Sequence, residues 1–180
     1  MSSQHGYFHS FVPNSFTNPS AQACTREERP LVIGLDFLGI GIARSLTSVF
    51  HVMGYGKDAA KADALQGSHV SAVTGLSVAC RDASHVFFVV RSGQQVLGIT
   101  KDIKETIRQH LTSLTIVLLT TMAPKLVLTV RTELAKLNAG VSLLEAPMSG
   151  SPAKAEKGEL TVCELSRFVT WSFDRSSLLP

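Results

Sequence analysis

Short runs of apolar residues alternate along this chain with segments whose apolar residues recur every three or four positions. The runs predict buried strands at Leu31–Ile33, Phe50–Tyr55, Val70–Val73, Val86–Val90, Thr115–Leu119 and Val141–Leu144. The intervening segments predict helices at Ile40–Val49, Asp58–Gln66, Leu76–Cys80, Val96–Leu111 and Val127–Leu137. Strands joined through helices run parallel, because each connection must cross over the sheet. We therefore expect an α/β fold, a doubly wound parallel sheet with helices on both faces.

The two ends of the chain lack this alternation. Residues 1–29 mix Ser, Asn, Pro, His and Phe without a period, which is typical of a disordered leader. A transit peptide is the less favoured reading, because no amphipathic helix emerges there. Residues 163–180 form a tail of unknown structure. The sequence thus predicts one domain over residues 30–162.

The composition favours a globular domain and excludes several classes of protein. Of the 180 residues, 44% are hydrophobic, and the net charge of +3 is too small and too scattered to indicate nucleic-acid binding. Cys24, Cys80 and Cys163 form neither a CxxC pair nor a zinc pattern, so we expect free thiols and no metal site. No apolar stretch reaches the roughly 20 residues that a membrane span needs. A cytoplasmic location is expected, with a mitochondrial one as the second choice.

The turn after the first predicted strand reads Gly34-Leu35-Asp36-Phe37-Leu38-Gly39, close to the G-x-G-x-x-G pattern of Rossmann-type dinucleotide-binding domains. In that pattern the first glycine allows a tight turn, the second lets the backbone approach a pyrophosphate, and the third lets the helix pack on the strand. Gly34 and Gly39 meet the first and third requirements. Asp36 replaces the second glycine and adds a negative charge where a diphosphate would lie. A turn that binds nothing is the alternative.

The end of the second predicted strand indicates which dinucleotide would bind. An Asp or Glu there normally bonds the ribose 2′-hydroxyl group of NAD. Here Tyr55 is followed by Gly56 and Lys57. No carboxylate is therefore present to repel a 2′-phosphate, and an ammonium group lies beside that position. The sequence therefore favours NADP, with NAD as the second choice. The alternative is that Lys57 is an ordinary solvated lysine.

Two segments of the chain occur in the same order as two motifs of a known family. Residues 32–43 read VIGLDFLGIGIA, similar to an opening G-L-G-x-M-G, and residues 145–161 read EAPMSGSPAKAEKGELT, similar to D-A-P-V-S-G-G-x-x-x-A-x-x-G-x-L-T. With these motifs the chain resembles the β-hydroxyacid dehydrogenases, which include 3-hydroxyisobutyrate, L-threonate and 6-phosphogluconate dehydrogenases. The resemblance covers about residues 30–162. It implies the NADP-binding domain of an oxidoreductase that acts on a small hydroxy acid.

The resemblance also implies roles for individual residues. Its cofactor site, with Lys57 added from the argument above, comprises Gly34, Leu35, Phe37, Leu38, Gly39, Lys57, Val90, Arg91 and Thr121. Ser149 and Gly150 match the element that holds the substrate carboxylate with a hydroxyl group and backbone N–H groups, and Ser151, in place of its second glycine, completes the expected substrate-binding set. Such donors satisfy an anion without presenting a competing base. No residue of this chain is expected to be catalytic.

The sequence departs from the family in ways that bear on activity. Asp36, Gly56 and the pair Ser151-Pro152 differ from the family residues, and the match ends after Val162. The family continues into a helical second domain whose lysine exchanges the hydroxyl proton, and Lys154 and Lys157 do not match that lysine. We therefore expect a truncated cofactor domain that is inactive alone. The alternative is a degenerate Rossmann domain that binds no nucleotide and serves protein association, including association into homo-oligomers.

Overall fold

A six-stranded sheet lies at the centre of the computed structural model, which describes residues 28–58, 61, 65, 68–110, 113–137 and 140–163. Its strands are β1 (Pro30–Ile33), β2 (Val52–Tyr55), β3 (Val70–Val73), β4 (His85–Phe88), β5 (Leu114–Leu118) and β6 (Val141–Glu145). They lie in the order β3-β2-β1-β4-β5-β6, and every neighbouring pair is parallel. This is the doubly wound order of a Rossmann domain. The predicted fold class is confirmed.

Helices connect the strands on both faces of the sheet. They are α1 (Phe37–Leu46), α2 (Leu76–Asp82), α3 (Gly93–His110), α4 (Pro124–Ala135) and α5 (Pro152–Glu156). A two-stranded antiparallel ribbon of β7 (Met148–Ser149) and β8 (Thr161–Val162) follows the sheet. Three predicted segments lie wholly or mostly outside the described residues: the leader up to residue 27, which includes Cys24, most of the helix Asp58–Gln66, and residues 164–180 of the tail.

The first helix and the second strand begin at positions that differ from the predicted ones. Helix α1 begins at Phe37 rather than Ile40, because the carbonyl of Asp36 already accepts the N–H of Ile40 at 2.9 Å. Strand β2 begins at Val52 rather than Phe50, because the N–H of Phe50 donates to the carbonyl of Leu46 at 3.0 Å and so extends the end of the helix. Local hydrogen bonds at the helix ends therefore override the apolar pattern there.

The strands pack buried or partly buried side chains against both faces of the sheet, which explains why the apolar runs are continuous. Leu31 and Ile33 pack with α2, α3 and α4 in one core cluster, whereas Val32 packs with α1 and α5 in the other. This division follows from the alternation of side chains along a strand. Burial on both faces leaves the strand ends as the place where polar groups can gather.

The carboxyl ends of the strands come out at one edge of the sheet. Ile33 at the end of β1 is in register with Tyr55 of β2 and with Phe88 of β4. Phe88 is in turn in register with Leu118 of β5, which pairs with Glu145 of β6. In open parallel sheets this edge is where ligands bind, beside the point at which the strand order reverses. Here that point lies between β1 and β4.

Candidate functional site

The carboxyl edge of the sheet holds a cleft of about 240 Å³. Its lining consists of Leu38, Val90, Arg91, Leu119, Thr120, Thr121, Met148, Gly150 and Leu160. Members of both predicted sets are among them: Leu38, Val90, Arg91 and Thr121 from the cofactor set, and Gly150 from the substrate set. Two motifs that lie far apart in the sequence therefore meet in one cleft.

Two glycines shape the turn between β1 and α1. Gly34 has a φ of +105°, and a Cβ atom added to it would lie 2.1 Å from the carbonyl oxygen of Val89. A Cβ atom on Gly39 would lie 1.7 Å from the carbonyl oxygen of Gly34. The structure thus shows the tight turn at Gly34 and the close approach of helix to strand at Gly39 that the sequence pattern predicts.

The first turn of α1 offers backbone N–H groups to a ligand. The N–H groups of Phe37, Leu38 and Gly39 have no acceptor within the helix, because they belong to its first turn. Asp36 occupies the N-cap position, yet its side chain makes no capping hydrogen bond. A helix N-terminus of this kind, after a glycine turn, suits a diphosphate. This geometry fits the cofactor that the pattern implies.

The other predicted residues of the turn have different surroundings. The Leu35 side chain is buried in the core beside β2, so only its backbone is left to meet a cofactor. The Phe37 side chain is 83% exposed at the start of α1. Lys57 is exposed just beyond the end of β2. Because β2 is adjacent to β1, this lysine follows a strand next to the glycine turn.

The carboxylate of Asp36 is held by two cations. Arg91 Nε donates to Asp36 Oδ2 at 2.6 Å, and Lys61 Nζ donates to Asp36 Oδ1. The hydrogen bonds from Arg91 and from Lys61 hold the pKa of the Asp36 carboxyl group below its ordinary value. The bond between Arg91 and Asp36 also raises the pKa of Arg91. The negative charge expected to repel a diphosphate is therefore offset by two positive charges. Sequence reasoning missed this role of Lys61.

A buried threonine joins the ends of β4 and β5. The N–H of Val90 donates to Thr120 Oγ1 at 3.0 Å, and that hydroxyl group donates to the carbonyl oxygen of Val90 at 2.9 Å. Thr120 is buried, whereas its neighbour Thr121 is exposed at the cleft. The sequence analysis named only Thr121. A hydroxyl residue directly after a buried strand is the signal that could have pointed to Thr120 as well.

The substrate motif forms the other side of the cleft. Gly150 has a φ of +149°, and a Cβ atom on it would lie 2.5 Å from Leu160 Cδ2. Ser149 is exposed in β7, next to the cleft residue Met148. Ser151 instead caps α5, since its hydroxyl oxygen accepts the N–H of Lys154 at 3.3 Å. The Ser151 hydroxyl group thus has a local structural role.

Other reactive groups lie away from the cleft. Burial raises the pKa of the Cys80 thiol to about 12 and lowers that of the His85 imidazole. Within the described ranges, no three His, Cys, Asp or Glu side chains are arranged to hold a metal ion. None of the helices in the part of the chain that the structure describes combines the length and the apolar content of a membrane span.

Known proteins share this fold. A 3-hydroxyisobutyrate dehydrogenase of Mycobacterium tuberculosis, solved with L-serine, has a TM-score of 0.70 at 17% identity, covering 77% of this chain and 46% of that one. A reductive aminase of Aspergillus terreus, solved with NADPH and ethyl-5-oxohexanoate, has a TM-score of 0.57 at 17% identity, and the match covers 71% of this chain and 43% of that one. The V8 variant of a Myxococcus stipitatus imine reductase, solved with NAD⁺, has a TM-score of 0.61 at 14% identity, and the match covers 71% of this chain and 43% of that one.

These solved structures establish the fold, and the sequence match establishes the family. This chain spans less than half the length of each of the three solved proteins. No curated protein sequence matches it. Residues 31–164 match the family described as the NAD binding domain of 6-phosphogluconate dehydrogenase, and this match covers most of the chain. With its glycine turn, strand order and cleft, the chain belongs to this family of nicotinamide dinucleotide-binding domains.

Proposed function

We propose that this chain is the cofactor domain of an oxidoreductase that transfers a hydride between a nicotinamide dinucleotide and a small hydroxy acid. The observation that carries the proposal is the convergence of both motifs on one cleft. Leu38 from the glycine turn and Gly150 from the substrate motif line the same cavity. A cofactor bound along the turn would therefore end beside the group that holds the substrate.

NADP is the proposed cofactor, with NAD as the second choice. The support comes from Lys57, which follows β2 with Gly56 in place of a carboxylate. Lys61, bound to Asp36, adds a second ammonium group near the same strand end. The related solved structures include one with NADPH and one with NAD⁺, so they favour neither dinucleotide.

The substrate side of the cleft suits a carboxylate. Gly150 presents backbone in a conformation that glycine favours, and Ser149 brings an exposed hydroxyl group next to it. Donors of this kind bind an anion without a competing negative charge. The 3-hydroxyisobutyrate dehydrogenase of Mycobacterium tuberculosis was solved with L-serine, itself a small hydroxy acid.

Expressed as these residues alone, the chain is proposed to bind cofactor without turning over substrate. A bound nicotinamide dinucleotide supplies the hydride acceptor. Transfer also needs a base for the hydroxyl proton, which contributes about 10²- to 10⁴-fold. The cleft lining contains no carboxylate, histidine or lysine in the described part of the chain, and its one cation, Arg91, stays protonated. Assays with 3-hydroxyisobutyrate, threonate and 6-phosphogluconate should therefore stay at background, and robust reduction of NADP would contradict this part of the proposal.

The decisive experiment is a titration of the purified chain with NADPH and NADH, followed by nicotinamide fluorescence. We expect saturable binding of both, with NADPH the tighter. The matched control is Gly98→Ala on α3, where an added Cβ atom meets nothing within 4 Å. The control should bind as the parent does. If the folded parent binds neither dinucleotide, the proposed function is wrong and a domain that serves only association is favoured.

A further inference from the structure

Three residues that follow three neighbouring strands form an ion cluster, and one of them, Arg91, lines the cleft. Asp36 follows β1, Lys61 follows β2 and Arg91 follows β4, and these strands are adjacent in the order β2-β1-β4. Arg91 Nε donates to Asp36 Oδ2 at 2.6 Å, and Lys61 Nζ donates to the other carboxylate oxygen. One carboxylate therefore holds two cations across the turn that would receive a diphosphate.

The Asp36 carboxylate does not carry out the usual task of an acidic N-cap residue. Such a residue accepts a hydrogen bond from an N–H group in the first helical turn. Asp36 has the extended backbone of an N-cap, with φ −77° and ψ 177°, but its side chain makes no such bond. The helix N–H groups are thus left for a ligand, while the carboxylate satisfies the cations.

The charges of the cluster favour exchange with a more highly charged anion. Two cations and one carboxylate leave a net positive charge beside the positive end of a helix dipole. A diphosphate carries more negative charge than a carboxylate and offers more acceptor oxygens, so it can bind the cations more strongly. The Asp36 side chain is 32% exposed and that of Arg91 77% exposed, and ion pairs this open to water are weak.

Arg91 combines a backbone held by hydrogen bonds with a side chain that is largely exposed. Its backbone N–H donates to Gln95 Oε1 at 2.9 Å, and its neighbour Val90 is fixed by Thr120. A rotation of the side chain alone would therefore be enough to bring the guanidinium group to another partner, while the backbone of Arg91 keeps its place on the cleft wall. We propose that the Asp36 carboxylate is an internal competitor of the dinucleotide diphosphate, which displaces it from Arg91 on binding. This inference rests on the proposed function, and it concerns what sets the affinity of the site.

A double-mutant cycle tests the exchange. The dissociation constant of NADPH is measured for the parent, Asp36→Asn, Arg91→Gln and the double variant. Asp36→Asn should tighten binding about fivefold, equivalent to about 0.95 kcal/mol, because Arg91 is no longer occupied. Arg91→Gln should weaken the parent only about twofold, but it should weaken the Asp36→Asn background about tenfold. Asp36→Gly is a second variant that removes the charge, and it should also bind more tightly than the parent.

A purely structural ion pair gives the opposite pattern. In that case each single substitution weakens binding, and the double variant is no worse than the weaker single one. That result, or an Asp36→Asn affinity equal to that of the parent, would overturn the proposal. Circular dichroism and the thermal unfolding midpoint of each variant show whether the fold is kept.

A matched pair on α3 controls for net charge. Glu105 and Arg108 form a similar exposed ion pair, with Arg108 Nη2 2.6 Å from Glu105 Oε1. Arg108 lies 15 residues beyond Gly93 at the start of α3, which is about 22 Å along the helix axis from Gly93. Glu105→Gln and Arg108→Gln change the charge by the same amounts but should leave the affinity for NADPH within about twofold of the parent.

Inorganic pyrophosphate, measured by calorimetry, separates this proposal from the proposed function. If Asp36→Asn binds pyrophosphate more tightly than the parent while no variant binds a dinucleotide, the ion exchange holds and the proposed function fails. If all variants bind NADPH with equal affinity, the proposed function holds and the exchange is refuted. If no variant binds either probe, both are refuted.

Discussion

The two ends of the cleft are built by different physical means. The loop end comprises the turn Gly34–Gly39 with Lys61 and Arg91, and it combines a rigid glycine backbone with exposed charges. The signature end comprises Met148–Ser151 with Leu160, and it depends on a glycine conformation, an apolar contact and a helix cap. At the loop end, a substitution can alter the charge of the site and leave its backbone unchanged. At the signature end, a substitution of Gly150 alters the backbone conformation and the packing instead.

The largest effect should come from the rigid part of the loop end. Alanine normally stabilises an exposed helix by about 1 kcal/mol relative to glycine. At Gly39 the added Cβ atom would lie 1.7 Å from a backbone oxygen, so Gly39→Ala should lower the free energy of unfolding by about 3 kcal/mol or more. Gly98→Ala, with nothing within 4 Å, should raise it by up to about 1 kcal/mol. Urea denaturation measures both, and equal values for the two variants would remove the distinction.

A smaller loss is expected at the signature end. In Gly150→Ala the new Cβ atom meets Leu160 Cδ2, the far end of a flexible side chain, so the contact can relax. The backbone strain at φ +149° cannot relax, and it should lower the free energy of unfolding by about 2 kcal/mol.

Adding Leu160→Ala to this variant separates contact from strain. If Gly150→Ala costs the same in the Leu160→Ala background, strain dominates, as expected. If the cost disappears there, packing rather than conformation determines this end of the cleft.

The role of the Lys57 charge, just beyond β2, can be tested through the preference for NADPH over NADH. Lys57→Gln should weaken NADPH binding by about 1–2 kcal/mol, since one charge-assisted contact to the 2′-phosphate is lost, and should leave NADH binding nearly unchanged. Lys101→Gln on α3 is the control with the same charge change. Fluorescence titration of the parent and both variants with the two dinucleotides gives all six affinities. Equal losses for both dinucleotides would show that Lys57 acts through the general field of the protein.

The smallest effect is the pH dependence of the Asp36 ion cluster. Arg91 and then Lys61 lower the pKa of Asp36 from its ordinary value of 3.8. The stabilisation is therefore present above that value and is lost as the pH falls through the lower pKa of the folded state. It should stay below about 1 kcal/mol, because the ion pairs are open to water.

An NMR titration of the Asp36 carboxyl carbon tests this directly. Its pKa should rise towards 3.8 in Arg91→Gln, since the largest cause of the shift is removed. In Arg108→Gln it should not move, because that arginine pairs with Glu105 instead. An unchanged pKa in Arg91→Gln would show that the contact to Arg91 does not persist in solution.

The alternation of apolar runs and helical stripes was enough to predict the element order and the parallel sheet. Burial on both faces of the sheet requires continuous apolar strands, and that requirement is visible locally in the sequence. The positions of Gly34 and Gly39 were also predictable, because backbone conformations that exclude a side chain leave a spaced glycine pattern. The two motifs placed the chain in its family before any contact between them was known.

Only the tertiary structure decided how the charges and hydroxyl groups of the site are paired. Asp36 meets Arg91 because β4 lies beside β1, and it meets Lys61 because β2 lies on the other side. Ser151 is predicted to bind the substrate, and only the fold shows that its hydroxyl oxygen accepts the N–H of Lys154 at the start of α5. Periodicity and propensity are local, whereas a long-range ion pair depends on the order of strands and on which side chains reach each other across them. For that reason the sequence alone presented Asp36 as a repelling charge, and the fold shows it as a neutralised one.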